Sequence, residues 1–261
     1  LRQCRRWWQT AQMQLTMISG ASSGIGAALA DRALAADHKV ATISRRPGPG
    51  DHLAADLSDP ASWPIVSDWI DGLVSAEAWD RVVFVHNAGV IDPVGFAGHV
   101  DPAAYTTNVL LNSASAQVLG ERFLGTVSNL DCPAQLMIIS SGAGKRPILG
   151  WSSYCAGKAA ADMWVRTVGA EQAALESKVT VLSVAPGVVD TAMQASIRDS
   201  AETEFPLIDQ FKELHASGSL LAPGDVAEAL FVLAQANAGD MHQDTHIENG
   251  AVLDIRDFID S

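Results

Sequence analysis

The chain has 261 residues, 48% hydrophobic and 18% charged, which suits one large α/β domain and excludes an intrinsically disordered protein. Its formal net charge of -13 opposes nonspecific attraction to nucleic acid or an anionic membrane, so an anionic ligand needs its own local basic patch. Cys4, Cys132 and Cys155 form neither a disulfide framework nor a metal-ligand spacing, and no apolar run is long enough to span a bilayer. A cytoplasmic protein without a metal is expected.

Residues 1–14 read as an N-terminal extension. Arg2, Arg5, Arg6, Trp7 and Trp8 make it basic and aromatic without an apolar signal core, and Met13 or Met17 suits the start of the working domain. Residues 15–261 read as a single domain in which strands alternate with helices. An apolar strand over 15–19 runs straight into Gly20-Ala21-Ser22-Ser23-Gly24-Ile25-Gly26, then a helical pattern over 27–36 and a strand over 40–44. Glycines between a strand and a helix let backbone approach a pyrophosphate and leave helix N–H groups to bind it. A tight structural turn is the competing account, because a glycine cluster alone is a weak signal. The second strand ends Ser44-Arg45-Arg46, where an NAD site usually places a carboxylate. Two guanidiniums there suit the 2′-phosphate of NADP.

Residues 53–57 read as a third strand, with Asp56 placed to accept from an adenine amino group and Leu57 against the ring. Trp63, Val66, Trp69, Ile70, Leu73 and Val74 fall at helical spacing within 60–78 and mark a core face. The apolar strand over 82–85 ends His86-Asn87-Ala88-Gly89, where Asn87 suits pinning backbone and His86 a local hydrogen bond. Asp101 suits the cap of one long helix running to about residue 127, with Asn108 a polar group on its packable surface. Residues 136–139 form a buried strand ending in Ser140-Ser141. After a loop, a helix from about Ser152 carries Tyr154 and Lys158 on one face, a turn apart. A phenol over an ammonium, with a serine from a neighbouring strand end, is a proton-transfer arrangement; an ordinary polar helix start competes with it.

That helix is apolar over more width than one sheet face needs. A helix-to-helix homodimer explains it, with a homotetramer or plain core burial as alternatives. Residues 179–184 form the next strand, followed by Pro186-Gly187-Val188-Val189-Asp190-Thr191, which exposes backbone beside any bound ring. Residues 193–219, with Ile197, Phe205, Phe211 and Leu214 among acids and small residues, suit a mobile lid with an apolar underside. A helix over 226–235 and a strand over 251–255 complete the pattern.

Taken together, the glycine turn, Asn87-Ala88-Gly89, Asn108, Ser141, Tyr154-Cys155-Ala156-Gly157-Lys158 and Pro186-Gly187 resemble the classical short-chain dehydrogenase/reductase family over roughly residues 15–258. The resemblance implies a Rossmann-type, doubly wound α/β fold with a seven-stranded parallel sheet, helices on both faces and a nicotinamide cofactor at the strand ends. It implies Asn108, Ser141, Tyr154 and Lys158 as the catalytic set and Gly20, Gly24 and Gly26 as the glycine motif. Asp56 falls on the adenine-side aspartate and Thr191 on the threonine that holds the nicotinamide amide. The remaining cofactor contacts are assigned to Ser22, Ser23, Ile25, Ser44, Arg45, Arg46, Leu57, Asn87, Ala88, Gly89, Pro186, Gly187 and Val189, beside Tyr154 and Lys158. His86 departs from the usual asparagine, and Ser23 replaces a basic residue that many NADP members carry.

Three features are similar to the sepiapterin reductase and bacterial benzil reductase branch. They are Ile43-Ser44-Arg45-Arg46, the run from Pro186 through Gln194, and Gly250-Ala251-Val252-Leu253-Asp254. The substrate side is accordingly assigned to Ser141, Trp151, Tyr154, Met193 and Asp254. The expected activity is NADPH-dependent reduction of a small ketone or diketone, with no nucleic-acid or membrane partner. The alternatives are a secondary-alcohol dehydrogenase working in the oxidative direction and a non-catalytic cofactor-binding protein on the same fold.

Overall fold

The structure, a computed structural model, describes residues 12–242 and 245–259. Most of the expected extension, residues 1–11, lies outside the described residues. At its end Met13 exchanges backbone and side-chain hydrogen bonds with Asp80, and Gln14 already belongs to the first strand.

In chain order the strands are β1 (Gln14–Ser19), β2 (Lys39–Ser44), β3 (Asp51–Ala54), β4 (Arg81–His86), β5 (Ala134–Ile139) and β6 (Val179–Ala185). A small hairpin of β7 (Met241–His242) and β8 (Thr245–His246) precedes β9 (Val252–Asp254). The seven strands other than the hairpin form one parallel sheet in the order β3-β2-β1-β4-β5-β6-β9. The chain therefore winds outward from β1 to β3, then crosses back to β4 and winds the other way. Where the winding reverses, the carboxyl ends of β1 and β4 open a crevice.

Strands β4, β5 and β6 are buried at every position, as parallel strands covered on both faces require. On one face α1 (Gly24–Leu34) packs with α8 (Pro223–Ala234), and Leu29, Ala33, Val226 and Leu230 join Ile18 and Val83. An Arg32–Glu228 ion pair ties these helices outside the core, with the Arg32 guanidinium 3.9 Å over the Phe231 ring. On the other face lie α2 (Ser62–Ser75), α4 (Ser115–Val127) and α5 (Ser152–Ala174). Ile70, Leu119, Phe123 and Val165 there meet Leu15, Phe84 and Leu136. Each such fully buried side chain contributes roughly 1.5–3 kcal/mol.

The structure revises several of the expected elements. The third strand ends at Ala54, because Asp56 turns its carboxylate back onto the Ser58 N–H and hydroxyl at 3.0 and 2.7 Å. The second helix is shorter than 60–78, starting at Ser62 and ending at Ser75. The long helix after Asp101 divides into α3 (Pro102–Val109), a π-helical turn over Leu110–Ala114, and α4. Asp101 does cap it, accepting from the Ala103 and Ala104 N–H groups. The 193–219 segment contains α6 (Ala192–Arg198) and α7 (Ile208–Ala216), and the β7–β8 hairpin was not anticipated.

Helix α5 approaches the loop before β9 so closely that a Cβ on Gly169 would lie 2.2 Å from Gly250 Cα. Gly125, on exposed α4 surface, has nothing within 4 Å of its Cβ position. We expect Gly169→Ala to cost at least about 1–3 kcal/mol and Gly125→Ala to add about 0.5–1 kcal/mol. Urea unfolding of both variants checks the opposite signs.

Candidate active site

The crevice is built on a staple between two strand ends. Asn87 Nδ2 donates to the Ser19 and Gly20 carbonyls at 3.2 and 3.1 Å. Ser19 Oγ accepts from the Asn87 and Ala88 N–H groups at 3.1 and 3.0 Å. Gly20 has φ +69°, and a Cβ there would sit 2.8 Å from Ala88 Cα, so a side chain would force the strand ends apart. Gly26 is a packing glycine behind this staple, with its Cβ position 2.5 Å from both Asn87 Nδ2 and the Gly20 carbonyl.

Helix α1 starts from Ser23 in extended conformation, with no side chain capping its first N–H groups. Gly24 and Ile25, at this electropositive end, line a cavity of about 360 Å³. The cavity continues past Ser22, Ser23, Ser44, Arg45 and Arg46, past Asp56 and Leu57, along Ala88 and Gly89, and ends against Tyr154, Lys158, Pro186, Thr191 and Met193. On its basic rim Arg46 reaches Ser22 Oγ at 3.5 Å, Ser44 Oγ donates to the Arg46 carbonyl at 2.6 Å, and Arg45 lies 3.9 Å from Asp56. Burial pushes the Asp56 carboxyl up, but hydrogen bonds from Ser58 and the Arg45 charge outweigh it and hold it below its ordinary value. Bare backbone at Gly20, Gly24 and Gly89, an uncapped helix start and exposed guanidiniums fit a phosphorylated dinucleotide.

At the far end Tyr154 and Lys158 are 7% and 5% exposed. The Lys158 ammonium donates to the Ile139 carbonyl at 2.8 Å and stands 5.7 Å from the Tyr154 ring centroid. Burial pushes the Tyr154 phenol up, against a hydrogen bond with Ser141 that pulls it down. Burial likewise lowers Lys158 to about 8, against the opposing charge of Asp162. Ser141 Oγ also accepts from the Ala143 N–H at 3.1 Å, which fixes the turn leaving β5.

Asn108 lies behind the cavity wall. Its Nδ2 donates to the Val90, Ile91 and Asp92 carbonyls at 3.2, 3.2 and 2.7 Å, and its Oδ1 accepts from Asn112 at 2.9 Å. Asn112 clamps both backbone groups of Val90, at 3.1 and 2.7 Å. The π-turn places Asn112 beside Asn108, an irregularity typical of functional helices.

Gly187 and Val189 sit in the turn after β6 and not on the cavity surface. Leu221 packs over Gly187, and the backbone around Val189 pairs with Leu221. Thr191 caps α6 by accepting from the Gln194 N–H at 3.4 Å. Trp151 forms part of an aromatic group beside the cavity, edge-on to Tyr154 at 5.7 Å and stacked on Phe205 at 4.8 Å. Asp254 is not brought into the cavity. Arg256 holds it in a two-pronged ion pair at 2.8 and 2.6 Å, and these hydrogen bonds pull its carboxyl below the ordinary range.

Sequence reasoning missed two participants for which helical spacing is the available signal. Asn112 lies four residues after Asn108, and Asp162 four after Lys158, each a helical turn onward. Ser140 was also passed over; it is 3% exposed, lines the cavity and has no partner for its hydroxyl among the described residues.

The profile of the short chain dehydrogenase family matches residues 14–202. The chain belongs to that family. It is 33% identical over 252 residues to a benzil reductase ((S)-benzoin forming) of Bacillus subtilis, covering 95% of this chain and 100% of the relative. It is 30% identical over 264 residues to rat sepiapterin reductase, covering 93% and 96%. Among solved structures the KRED1-Pglu enzyme superposes with a TM-score of 0.76 at 27% identity, over 92% of this chain and 100% of that one. The chain is thus an oxidoreductase of the short-chain dehydrogenase/reductase type, with relatives in the sepiapterin reductase and benzil reductase branch. No helix among the described residues is long and apolar enough to cross a membrane.

His86 makes its expected local bond, to Ser115 Oγ at 3.1 Å. Burial, and then the nearby Lys158 charge, lower it from 6.5 to about 3. Between those values the unfolded chain binds a proton that the folded chain refuses, so His86 costs stability as pH falls through that window. We expect His86→Asn to lose less stability than the parent between pH 6.5 and pH 4, by roughly 1–3 kcal/mol, measured by urea unfolding at each pH.

Proposed function

We propose that this chain reduces a small ketone or diketone to a secondary alcohol with NADPH. The observation that carries the reading is the buried Tyr154 phenol, which lines the cavity together with the Lys158 ammonium, 5.7 Å from its ring centroid. Reduction needs a proton on oxygen as carbon gains a hydride. The nicotinamide of bound NADPH supplies the hydride. Tyr154 supplies the proton, and its raised pKa keeps it in the neutral, donating form at pH 7. Lys158, at about 8, is charged at neutral pH and stabilises the phenolate as the proton leaves. Ser141 donates to the developing alkoxide. Asn108 acts by holding the 90–92 backbone that forms the neighbouring wall.

The choice of NADPH rests on Arg45, Arg46 and Ser22, which converge on one rim of the cavity. The choice of a ketone or diketone rests on the aromatic group around Trp151 and on the names borne by the benzil and sepiapterin reductase relatives. A homodimer pairing α4 and α5 belongs to the same proposal, because Val118 and Met163 leave apolar surface exposed on these helices.

Tyr154→Phe is expected to lower kcat by about 10²–10⁴ while NADPH binding, followed by fluorescence titration, persists. Near-normal kcat would remove Tyr154 from the reaction. Arg45→Ala is expected to raise KM for NADPH about tenfold or more, through loss of a charge-assisted bond, and to leave KM for NADH almost unchanged. Equal losses with the two cofactors would refute the phosphate assignment.

A further inference from the structure

Lys158 is 5% exposed and Asp162, one turn further along α5, is 6% exposed. Among the described residues Asp162 makes no ion pair at contact distance. A buried carboxylate in that position is costly unless its charge is used. Its Oδ1 accepts from Ser183 Oγ on β6 at 2.6 Å. Its Oδ2 lies 2.8 Å from where a Cβ on Gly144 would be, so only a glycine leaves room for the carboxylate against the turn that follows Ser141. One side chain therefore touches β6 and the turn after Ser141 while standing on the helix that carries Tyr154 and Lys158.

The other titratable groups near the ammonium are Tyr154 on α5 and His86 on β4, with Cys155 beside the phenol. His86 and the phenol carry no charge at pH 7, and burial moves each further from its charged form. Within this group Asp162 is the source of opposing charge that resists the loss of the Lys158 proton.

We propose that Asp162 is a positioning residue of the active site, whose charge keeps the Lys158 ammonium protonated in the dry interior and whose contacts seat the Ser141 turn and β6 against α5. The inference rests on the reading above only where it concerns turnover; the effect on Lys158 itself is independent of any substrate.

Asp162→Asn keeps an oxygen able to accept from Ser183 and removes the charge. Two measurements on the full chain test it. One is the pH profile of kcat/KM for NADPH-dependent reduction of a carbonyl panel. The other is a ¹³C NMR titration of ¹³Cε-lysine-labelled protein, with Lys158 assigned from the resonance lost in Lys158→Arg. In Asp162→Asn both the alkaline limb and the Lys158 resonance are expected to move to lower pH by about one unit. The resulting loss of kcat/KM is expected to approach tenfold at pH 8.5 and to be markedly smaller at pH 6.5. Asp162→Glu should restore both, and Ser183→Ala should lower the urea midpoint without moving either.

A profile reduced by one factor at every pH, with the Lys158 titration unmoved, makes Asp162 merely structural and overturns the proposal. If the parent reduces no carbonyl while the resonance still shifts, the reductase reading fails and the Asp162 assignment stands. If Asp162→Asn does not fold, the double variant Lys158→Met/Asp162→Asn decides. With both charges gone it should fold, and its failure beside a folded Lys158→Met overturns the charge role.

Discussion

An ammonium held in the protein interior sets the conditions for everything around it. Lys158 is nearly inaccessible, and its hydrogen bond to the Ile139 carbonyl does not neutralise it. Removing such a group from water costs several kcal/mol even after relaxation, so its neighbours must either supply negative charge or avoid adding positive charge. The imidazole of His86 answers the second demand by staying neutral far below its ordinary value. Gly89 answers a steric one, because a Cβ there would lie 3.5 Å from the ammonium and 3.0 Å from Asn112 Oδ1. The phenol beside it gains nothing from this charge until it begins to ionise. That is the behaviour a proton donor needs: little help in the ground state and more as negative charge develops.

The other half of the crevice obeys a constraint of backbone approach. Gly20 and Gly24 both take positive φ, and the walls beside them are the Ala88 backbone and Thr191. Asn87 and Ser19 then lock the strand ends with four hydrogen bonds, so the cavity floor is fixed before any ligand arrives. Such a floor is set by main-chain geometry and needs particular residue types at particular positions. That is why it leaves so clear a mark on the sequence.

The legible parts of the chain follow from this difference. The strands of the central sheet announce themselves as apolar runs because both faces are covered, and the glycine turn and the Tyr154–Lys158 spacing are local patterns. The third strand was misplaced because Asp56 suits both a strand end and a turn, and only its bonds to Ser58 decide between them. The π-turn was hidden because an inserted residue changes the phase of a helix without changing its composition. Asn112 was visible as a residue, but its clamp on Val90 depends on that phase. Asp162 was harder still: its partners Ser183 and Gly144 lie 21 residues after it on β6 and in the turn before α5.

The substrate side shows why family is easier to read than specificity. Trp151, Phe205 and Phe211 are brought together from the start of α5 and from the segment around α6 and α7. Gly150, with φ +85°, lets the Glu204 carbonyl approach within 2.4 Å of its Cβ position, so the fit between these segments is also a backbone fit. Yet the wall they present consists of ring faces and edges, and rings of similar size can exchange there at modest cost. Residue type along 193–219 therefore records an apolar underside without recording its shape. The proton donor is specified by residue type and by an ammonium one helical turn away, whereas the substrate is specified by the volume left between rings. A chemistry defined by a few polar contacts survives sequence divergence in recognisable form; a pocket defined by the packing of aromatic surfaces does not.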